Sequence, residues 1–284
     1  MSADEQPYAA WLGGSEAVQD WIAPAPVQAA AATFDDVETE FRPGSAVPPL
    51  WHWFYFLPKA PQSQIGADGH PARGGFLPPI PLPRRMFAGA RLTFSSPLIV
   101  GRPAERRGTI RAISERSGRS GSLVFVTVGY TISQDGCTCI EEEQDIVYRD
   151  ADQTPVPPPE AIDLPPATGA LVRTITPDPV LLFRFSSLTF NGHRIHYDRP
   201  YATSVEGYPG LIVHGPLTAV LLLELVRRNV GRPVRAFRFR GLLPLFDLTP
   251  FRVAGTETGD TVTLEALRCD GKPAMEAEAT LAAG

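Results

Sequence analysis

The chain of 284 residues has few cysteines and no apolar run long enough to cross a bilayer. Cys137, Cys139 and Cys269 are too few for a disulfide framework, and the Cys137–Cys139 pair has no second pair to complete a zinc site. The acidic first residues lack the apolar core of a secretory signal. These absences predict a cytoplasmic protein that neither spans nor binds a membrane and has no metal site.

Lysine is nearly absent too: Lys59 and Lys272 are the only two, so arginine carries almost all of the positive charge. The formal net charge of −5 argues against non-specific binding of nucleic acid. Hydrophobic residues make up 43% of the chain, which is enough to form a full core. We therefore expect a globular protein.

Proline is abundant and is concentrated in residues 151–169. This density excludes helix interiors and sheet ladders, so we expect an extended linker there. It divides the chain into an N-terminal half, 1–150, and a C-terminal half, 170–284.

The C-terminal half shows a clear order of elements. Asp178 and Pro179 are typical of the start of a short helix that runs to residue 188. A second helix begins at Pro216 and ends before Gly231, and residues 217–226 are so apolar that it must be buried. The strand-like segments that follow, separated by glycine turns, are 234–239, 246–253, 261–267 and 274–281.

The N-terminal half repeats this order loosely. A helix-like stretch covers 21–34, and the aromatic segment 47–56 stands where the other half has its buried helix. Strand-like segments follow at 90–94, 107–114, 123–132 and 138–148. We predict an α+β double hot-dog, in which two curved antiparallel sheets each wrap a central helix.

Three of the five histidines, His193, His196 and His214, fall within 22 residues just before the buried helix. Imidazole titrates near neutral pH, so this cluster favours proton transfer. The N-terminal half has no equivalent of the first two, which predicts one competent site built mainly by the C-terminal half.

Several motifs resemble the MaoC-type dehydratases, which include the R-specific enoyl-CoA hydratases. His196-Tyr-Asp198 matches the His-x-Asp of that family, and Gly210-Leu-Ile-Val-His-Gly215 matches its Pro-Ile-x-His-Gly segment. Residues 48–53, 74–86 and 142–148 are similar to the subfamily of itaconyl-CoA and mesaconyl-CoA hydratases and mitochondrial hydroxyacyl-thioester dehydratases. The resemblance covers roughly residues 10–284.

The resemblance implies reversible addition of water to a 2-enoyl thioester. It assigns His196 as general acid and base, and the amide of Gly215, at the start of the buried helix, as the donor that stabilises the thioester oxyanion. We expect Asp198 to orient the loop or cap the turn at 201–202 rather than transfer a proton. His214 is expected to tie the loop to the helix.

One position departs from the family pattern. Asn191 stands where the family has its catalytic aspartate, and His193 stands where it has asparagine. An amide can orient water but cannot take its proton, so His193 and His196 would share the acid and base chemistry. Alternatively, a shifted loop brings Asp198 or Glu206 into the site.

Coenzyme A needs cations for its phosphates. Arg238 and Arg240 share one face of a predicted strand, and Arg84 and Arg85 are similar candidates from the N-terminal half. Arg194 is the candidate for a second carboxylate on the substrate. Tyr197, in the same loop, is a further substrate-binding candidate.

These residues predict a hydratase of a short branched dicarboxylic acyl-CoA, such as itaconyl-CoA or mesaconyl-CoA. The alternatives are a hydroxyacyl-thioester dehydratase of fatty-acid metabolism and a non-catalytic acyl-CoA binding module, which Asn191 favours. Coenzyme A enters only as part of the substrate, and no other cofactor is expected. Two hot-dogs in one chain predict a monomer or a homodimer.

Overall fold

A computed structural model describes residues 7–118, 121–150, 156–162 and 171–283. Ten strands and four α-helices lie within these ranges. The strands are β1 Ser15–Trp21, β2 Arg84–Phe94, β3 Pro103–Gly118, β4 Gly121–Gln134, β5 Cys137–Arg149, β6 Leu171–Ile175, β7 Val234–Gly241, β8 Phe251–Thr258, β9 Thr261–Leu267 and β10 Pro273–Leu281. The α-helices are α1 Pro24–Phe34, α2 Pro179–Leu188, α3 Arg199–Ser204 and α4 Gly215–Asn229.

All ten strands form one antiparallel sheet in the order β1-β3-β4-β5-β2-β7-β10-β9-β8-β6. The five strands of each half are neighbours, and β2 pairs with β7 where the halves meet, from Gly89 opposite Arg240 to Thr93 opposite Ala236. The α+β double hot-dog is confirmed, and its two predicted sheets are joined edge to edge. This pairing leaves neither half with an open strand edge at the junction.

The C-terminal half wraps its sheet around α4. Every residue of this helix from Leu217 to Val226 is buried, as its apolar sequence predicts, and the helix packs against β6, β8, β9 and β10. The helix begins at Gly215, one residue before the predicted start, and Pro216 in its first turn needs no N–H partner. Arg227 and Arg228 lie in the last turn, where they complement the helix dipole.

The N-terminal half has no helix of this kind among its described residues. Segment 47–56 forms only a single 3₁₀ helix, Trp51–Phe54. Its aromatic side chains fill the corresponding space, with Trp51 5.8 Å from Phe34 and 6.0 Å from Phe54 between ring centroids. Bulky rings thus replace the helix as the filling of the first hot-dog.

Most elements lie where the sequence predicts them, with several differences. The turn expected at 201–202 is part of α3, and β2 begins at Arg84 rather than at residue 90. β1 and β6 were missed, because each is a short edge strand with a single neighbour and little burial. The segment predicted at 246–253 is displaced, since the strand runs from Phe251 to Thr258. The predicted helix-like stretch 21–34 begins only at Pro24.

The predicted linker lies partly outside the described residues, at 151–155 and 163–169. Its described part contacts the C-terminal half: the amide of Val156 donates to the Gly207 carbonyl, and the amide of Ile162 donates to that of Cys269. Among the helices in the described ranges, none combines the length and apolarity that crossing a bilayer requires.

Candidate active site

A cavity of about 1600 Å³ opens between the start of α4 and the loops of both halves. It is larger than the roughly 300–1,000 Å³ of most small-molecule pockets, as an acyl-CoA would need. The predicted site residues that line it are Asn191, His193, His196, Tyr197 and Gly215.

The histidine loop is held by short local contacts. Phe190 has a φ of 48°, which turns the chain away from α2, and the Asn191 amide then donates to the Ser186 carbonyl. The side-chain oxygen of Asn191 accepts from the amide of His193 at 3.0 Å. A 3₁₀ helix, Arg194–His196, follows and turns His196 inward.

His196 is buried, and its tautomer is set by one hydrogen bond. Its Nδ1 lies 2.8 Å from the Ile212 carbonyl oxygen, which can only accept, so Nδ1 carries the proton and the lone pair is on Nε2. Burial lowers the pKa of His196 to about 4, although the Ile212 hydrogen bond opposes the shift. At neutral pH the ring is therefore uncharged and able to accept a proton.

Four histidine rings lie in a continuous row, which we call the histidine row. His214 stacks on His196 at 3.6 Å between centroids, His193 meets His196 edge-on at 5.4 Å, and His70 lies 4.0 Å from His193. Burial, followed by the charges of His70 and His196, lowers the pKa of His193 to about 2. The row is neutral at pH 7, and a proton on one ring disfavours a second.

His214 is buried and sits at the N-cap of α4, as expected of a residue that ties the loop to the helix. A hydrogen bond of 2.9 Å joins its Nε2 to the Ser186 hydroxyl of α2. Burial lowers its pKa well below the usual value.

The N-terminal half adds two residues that the sequence analysis missed, Asp68 and His70. The Asp68 carboxylate lies 2.9 Å from Nδ1 of His70. Burial raises the pKa of Asp68, but hydrogen bonds from the side chain and amide of His70 outweigh it and hold that pKa well below its usual value. Asp68 thus provides a carboxylate at the His70 end of the histidine row. Position 191, where the family has its aspartate, provides none because it is Asn191.

The loop that carries this pair docks directly on the histidine loop. A Cβ atom at Gly69 would collide with the carbonyl oxygen of Gly192, so only glycine permits the approach. The amide of Arg194 donates to the Asp68 carbonyl at 2.9 Å, and its guanidinium donates to that of Ala67 at 3.0 Å. The one available signal was the Asp-x-His spacing just before the motif at 74–86.

Asp68, His70 and His193 are also of the types that bind metal ions. Their nearest donor atoms lie within 4.8 Å of one another. In this structure the Asp68 carboxylate is hydrogen-bonded to His70. This bond favours a role for Asp68 in orienting His70 over a role in binding a metal ion.

Gly215 places a backbone amide at the cavity. As the first residue of α4, its N–H has no partner within the helix, and the dipole of α4 favours negative charge there. A Cβ at this position would lie 3.7 Å from the Phe87 carbonyl oxygen, an ordinary contact, so glycine leaves open space beside the amide.

Neither alternative carboxylate enters the cavity. Asp198 caps α3 by accepting from the Tyr201 amide at 3.1 Å, as expected, and its other oxygen pairs with Arg194 at 2.8 Å. Glu206 pairs with Arg84 at 3.3 Å. Neither Asp198 nor Glu206 is among the described residues that line the cavity.

The cation candidates separate into two groups. Arg238 and Arg240 lie on the exposed outer face of the sheet, where they pair with Glu278 at 2.9 Å and Glu276 at 3.4 Å, and the structure does not bring them to the cavity. Arg194 is also outside the cavity lining. Arg84 and Arg85 line the cavity. Tyr197 lines it too, and its hydroxyl donates to the Gly192 carbonyl at 3.0 Å.

The N-terminal wall of the cavity contains a buried polar network. Oxygens of Glu142 lie 3.0 Å from Nε2 of His52 and accept from the indole of Trp53 at 2.9 Å and from the side-chain amide of Gln144 at 2.7 Å. Burial raises the pKa of Glu142, but these hydrogen bonds outweigh it and hold the pKa below its usual value. The network orients Trp53, whose ring packs against Phe87.

Comparison with known proteins identifies the family of the chain. The family described as hydroxyacyl-thioester dehydratase type 2 matches residues 50–247. The mesaconyl-C(4)-CoA hydratase of Chloroflexus aurantiacus is 59% identical over 272 residues, which cover 96% of this chain and 97% of that protein.

Solved structures agree in fold. HtdX from Mycobacterium tuberculosis matches with a TM-score of 0.65 at 19% identity, over 93% of this chain and 98% of that one. A second protein from that organism, described as a double hot-dog, matches with a TM-score of 0.58 at 12% identity, over 95% and 96%. The chain therefore belongs to the hydroxyacyl-thioester dehydratase type 2 family of hydro-lyases, among the MaoC-like dehydratases, as its motifs predicted.

Proposed function

We propose that this protein is a hydratase of a short branched dicarboxylic acyl-CoA, with mesaconyl-C4-CoA as the first candidate. The observation that carries the proposal is the neutral His196, with its lone pair on Nε2, in the same cavity as the free amide of Gly215. The high identity to a mesaconyl-C(4)-CoA hydratase along nearly the whole chain supports the substrate.

In the proposed reaction, Nε2 of His196 takes a proton from water as the water oxygen bonds to the β-carbon. The electrons of the double bond move toward the thioester carbonyl, whose oxygen becomes negative. The imidazolium then returns a proton to the α-carbon, so that one water is added and His196 is regenerated. Asn191 and His193 orient the water from the cavity wall.

The Gly215 amide donates to the thioester oxygen as negative charge develops there. In a site that excludes water, one such donor lowers the barrier by about 3 kcal/mol. The positive end of the α4 dipole acts on the same oxygen.

Asp68 and His70 assist as positioning residues. When His196 is protonated, a positive charge lies within the histidine row, and the Asp68 carboxylate at its far end compensates part of it. We propose that this pair does the electrostatic work of the aspartate that is missing at position 191.

A hydroxyacyl-thioester dehydratase of fatty-acid metabolism is the second candidate. The matching family carries that description, and the reaction is the same chemistry in reverse. The acyl chain separates the two candidates. The non-catalytic alternative is disfavoured by the family and by the complete set of acid, base and oxyanion groups.

The test is a hydration assay of the purified protein on mesaconyl-C4-CoA, itaconyl-CoA and crotonyl-CoA, with products separated by chromatography and identified by mass. We expect turnover on mesaconyl-C4-CoA to exceed that on crotonyl-CoA. A preference for crotonyl-CoA would move the protein to the fatty-acyl dehydratases. Coenzyme A as the only cofactor-like group, a cytoplasmic location and a monomeric or homodimeric state belong to the same proposal.

A further inference from the structure

We infer that Arg85 and the hydroxyl of Tyr148 form a subsite that binds the free carboxylate of the acyl chain. The inference rests on the proposed function, since only a dicarboxylic acyl-CoA presents such a group. A carboxylate that enters a cavity with mostly apolar walls needs a fixed cation to replace its hydration.

The surroundings of Arg85 leave its guanidinium available to a ligand in the cavity. It lies on β2 directly opposite Tyr148 of β5, and both residues line the cavity. Burial raises the pKa of the Tyr148 hydroxyl, and the charge of Arg85 opposes that shift. No carboxylate among the described residues pairs with it, whereas Arg84, its neighbour, pairs with Glu206. The Tyr148 hydroxyl, on the neighbouring strand, can donate to a second oxygen of the same carboxylate.

The other cations of the cavity wall are less suited to this task. Arg73 already donates to three backbone carbonyls, and Arg106 pairs with Glu16 at 3.5 Å. Lys59 is exposed to solvent. Arg194, the candidate from sequence, lies outside the cavity lining, where Asp198 and the Ala67 carbonyl hold its guanidinium.

Arg85 lines the same cavity as His70 and His193. Burial and neighbouring histidines lower the pKa of His193, and the charge of Arg85 lowers it further; the same charge acts on His70. Arg149 lines the cavity as well, but it lies opposite Arg84 and follows Tyr148 directly on β5, so its side chain and that of Tyr148 are on alternate faces of the strand. In mesaconyl-C4-CoA the carboxylate is bonded to the β-carbon that water attacks, so its binding site must adjoin the histidine row.

The experiment compares the Arg85→Gln variant with the wild type on mesaconyl-C4-CoA and on crotonyl-CoA, which has no free carboxylate. We expect kcat/KM for mesaconyl-C4-CoA to fall about 100-fold, because a charged hydrogen-bond partner is lost, and kcat/KM for crotonyl-CoA to change less than about threefold. Arg85→Lys should restore part of the loss. Arg91→Gln, on the same strand but paired with Glu143 and Asp145 at the surface, is the matched control and should leave both substrates unchanged.

Turnover of crotonyl-CoA by Arg85→Gln shows that the variant is folded. An equal loss on both substrates would overturn the inference and assign Arg85 to the coenzyme A moiety. Unchanged kcat/KM on mesaconyl-C4-CoA would also overturn it, while the proposed function would stand. A wild type that hydrates crotonyl-CoA but not mesaconyl-C4-CoA would refute the proposed function and the subsite together.

Discussion

The two halves of the molecule share one sheet and one order of elements, yet they fill their sheets differently. The C-terminal half encloses α4, a buried 15-residue helix whose first amide faces the cavity. The N-terminal half encloses only a 3₁₀ turn and a cluster of aromatic rings. A helix supplies a free amide and a dipole at its start, whereas packed rings supply neither, so an oxyanion site can form in the C-terminal half alone.

The N-terminal half has kept a different set of groups. It provides Asp68 and His70 to the histidine row, the Glu142 network to the cavity wall, and Arg85. Under the proposed function, the C-terminal half carries the proton transfer, and the N-terminal half orients it and recognises the acyl group. Neither half contains a complete site.

The largest effect is expected from His196→Asn, which removes the base from the C-terminal half. The Asn amide can still donate to the Ile212 carbonyl, so the loop is preserved. We expect kcat to fall about a thousandfold with an unchanged circular dichroism spectrum. Activity close to that of the wild type would place the base elsewhere in the histidine row.

The second-largest effect is expected on stability, at a buried contact that joins the two halves. Glu224 is buried in α4, accepts from the Trp51 indole at 3.1 Å, and pairs with Arg227 at 2.7 Å. Glu224→Gln removes the buried charge that faces Arg227 and Arg228, leaves Asp36 as the remaining acidic partner of Arg227, and should lower the free energy of unfolding by about 2 kcal/mol. Urea denaturation measures this, and a loss below 1 kcal/mol would contradict a structural junction here.

Asp68→Asn tests whether the N-terminal half assists the proton transfer. The carboxylate raises the pKa values of both His70 and His193 against the effect of burial, so the variant should lower them and reduce kcat roughly tenfold. Histidine titration by NMR and steady-state kinetics give the two readouts. Unchanged values in both would assign the Asp68 loop to packing only.

Acid should destabilise the protein through the buried histidines of the C-terminal half. His196 and His214 have lowered pKa values in the folded state, so the unfolded chain binds more protons below its own pKa of about 6.5. Their contribution is complete above that pH and declines as the pH falls below it, for His196 until about pH 4, at about 1.4 kcal/mol for each pH unit and each histidine. Urea midpoints between pH 7 and pH 5 test this, and a flat profile would contradict it.

The smallest effect is expected on the outer face of the sheet. Arg238→Gln removes an exposed ion pair with Glu278, far from the cavity lining. Exposed pairs contribute little, so neither stability nor KM for the acyl-CoA should change measurably. A raised KM would restore Arg238 as a binding site for a coenzyme A phosphate.

Local patterns were sufficient for most of the fold. The alternation of apolar residues and the glycine turns predicted eight of the ten strands, although the segment at 246–253 was displaced. Asp178 and Pro179 predicted α2 to the residue. The edge strands β1 and β6 could not be found in this way, because a strand with one neighbour buries too little to enforce the alternation.

Only the C-terminal part of the candidate site was predictable from the sequence. His196, Asn191, His193 and Gly215 are close in the chain, and a family motif marks them. The structure left Arg194, Arg238 and Arg240 outside the cavity, because acidic partners on neighbouring elements hold each of them at the surface. The sequence of a run of arginines is the same whether the side chains bind phosphate or pair with glutamate. The sequence alone therefore cannot distinguish the two roles.

The sequence by itself determined the strands and helices, the buried α4 and the loop that carries His196, since these depend on residues that are near one another along the chain. Only the tertiary structure decided that His70 meets His193, that Arg85 faces Tyr148 inside the cavity, and that β2 joins β7. Such contacts depend on how the two halves pack across one sheet. They join residues that are far apart in the chain, so no local sequence pattern predicts them.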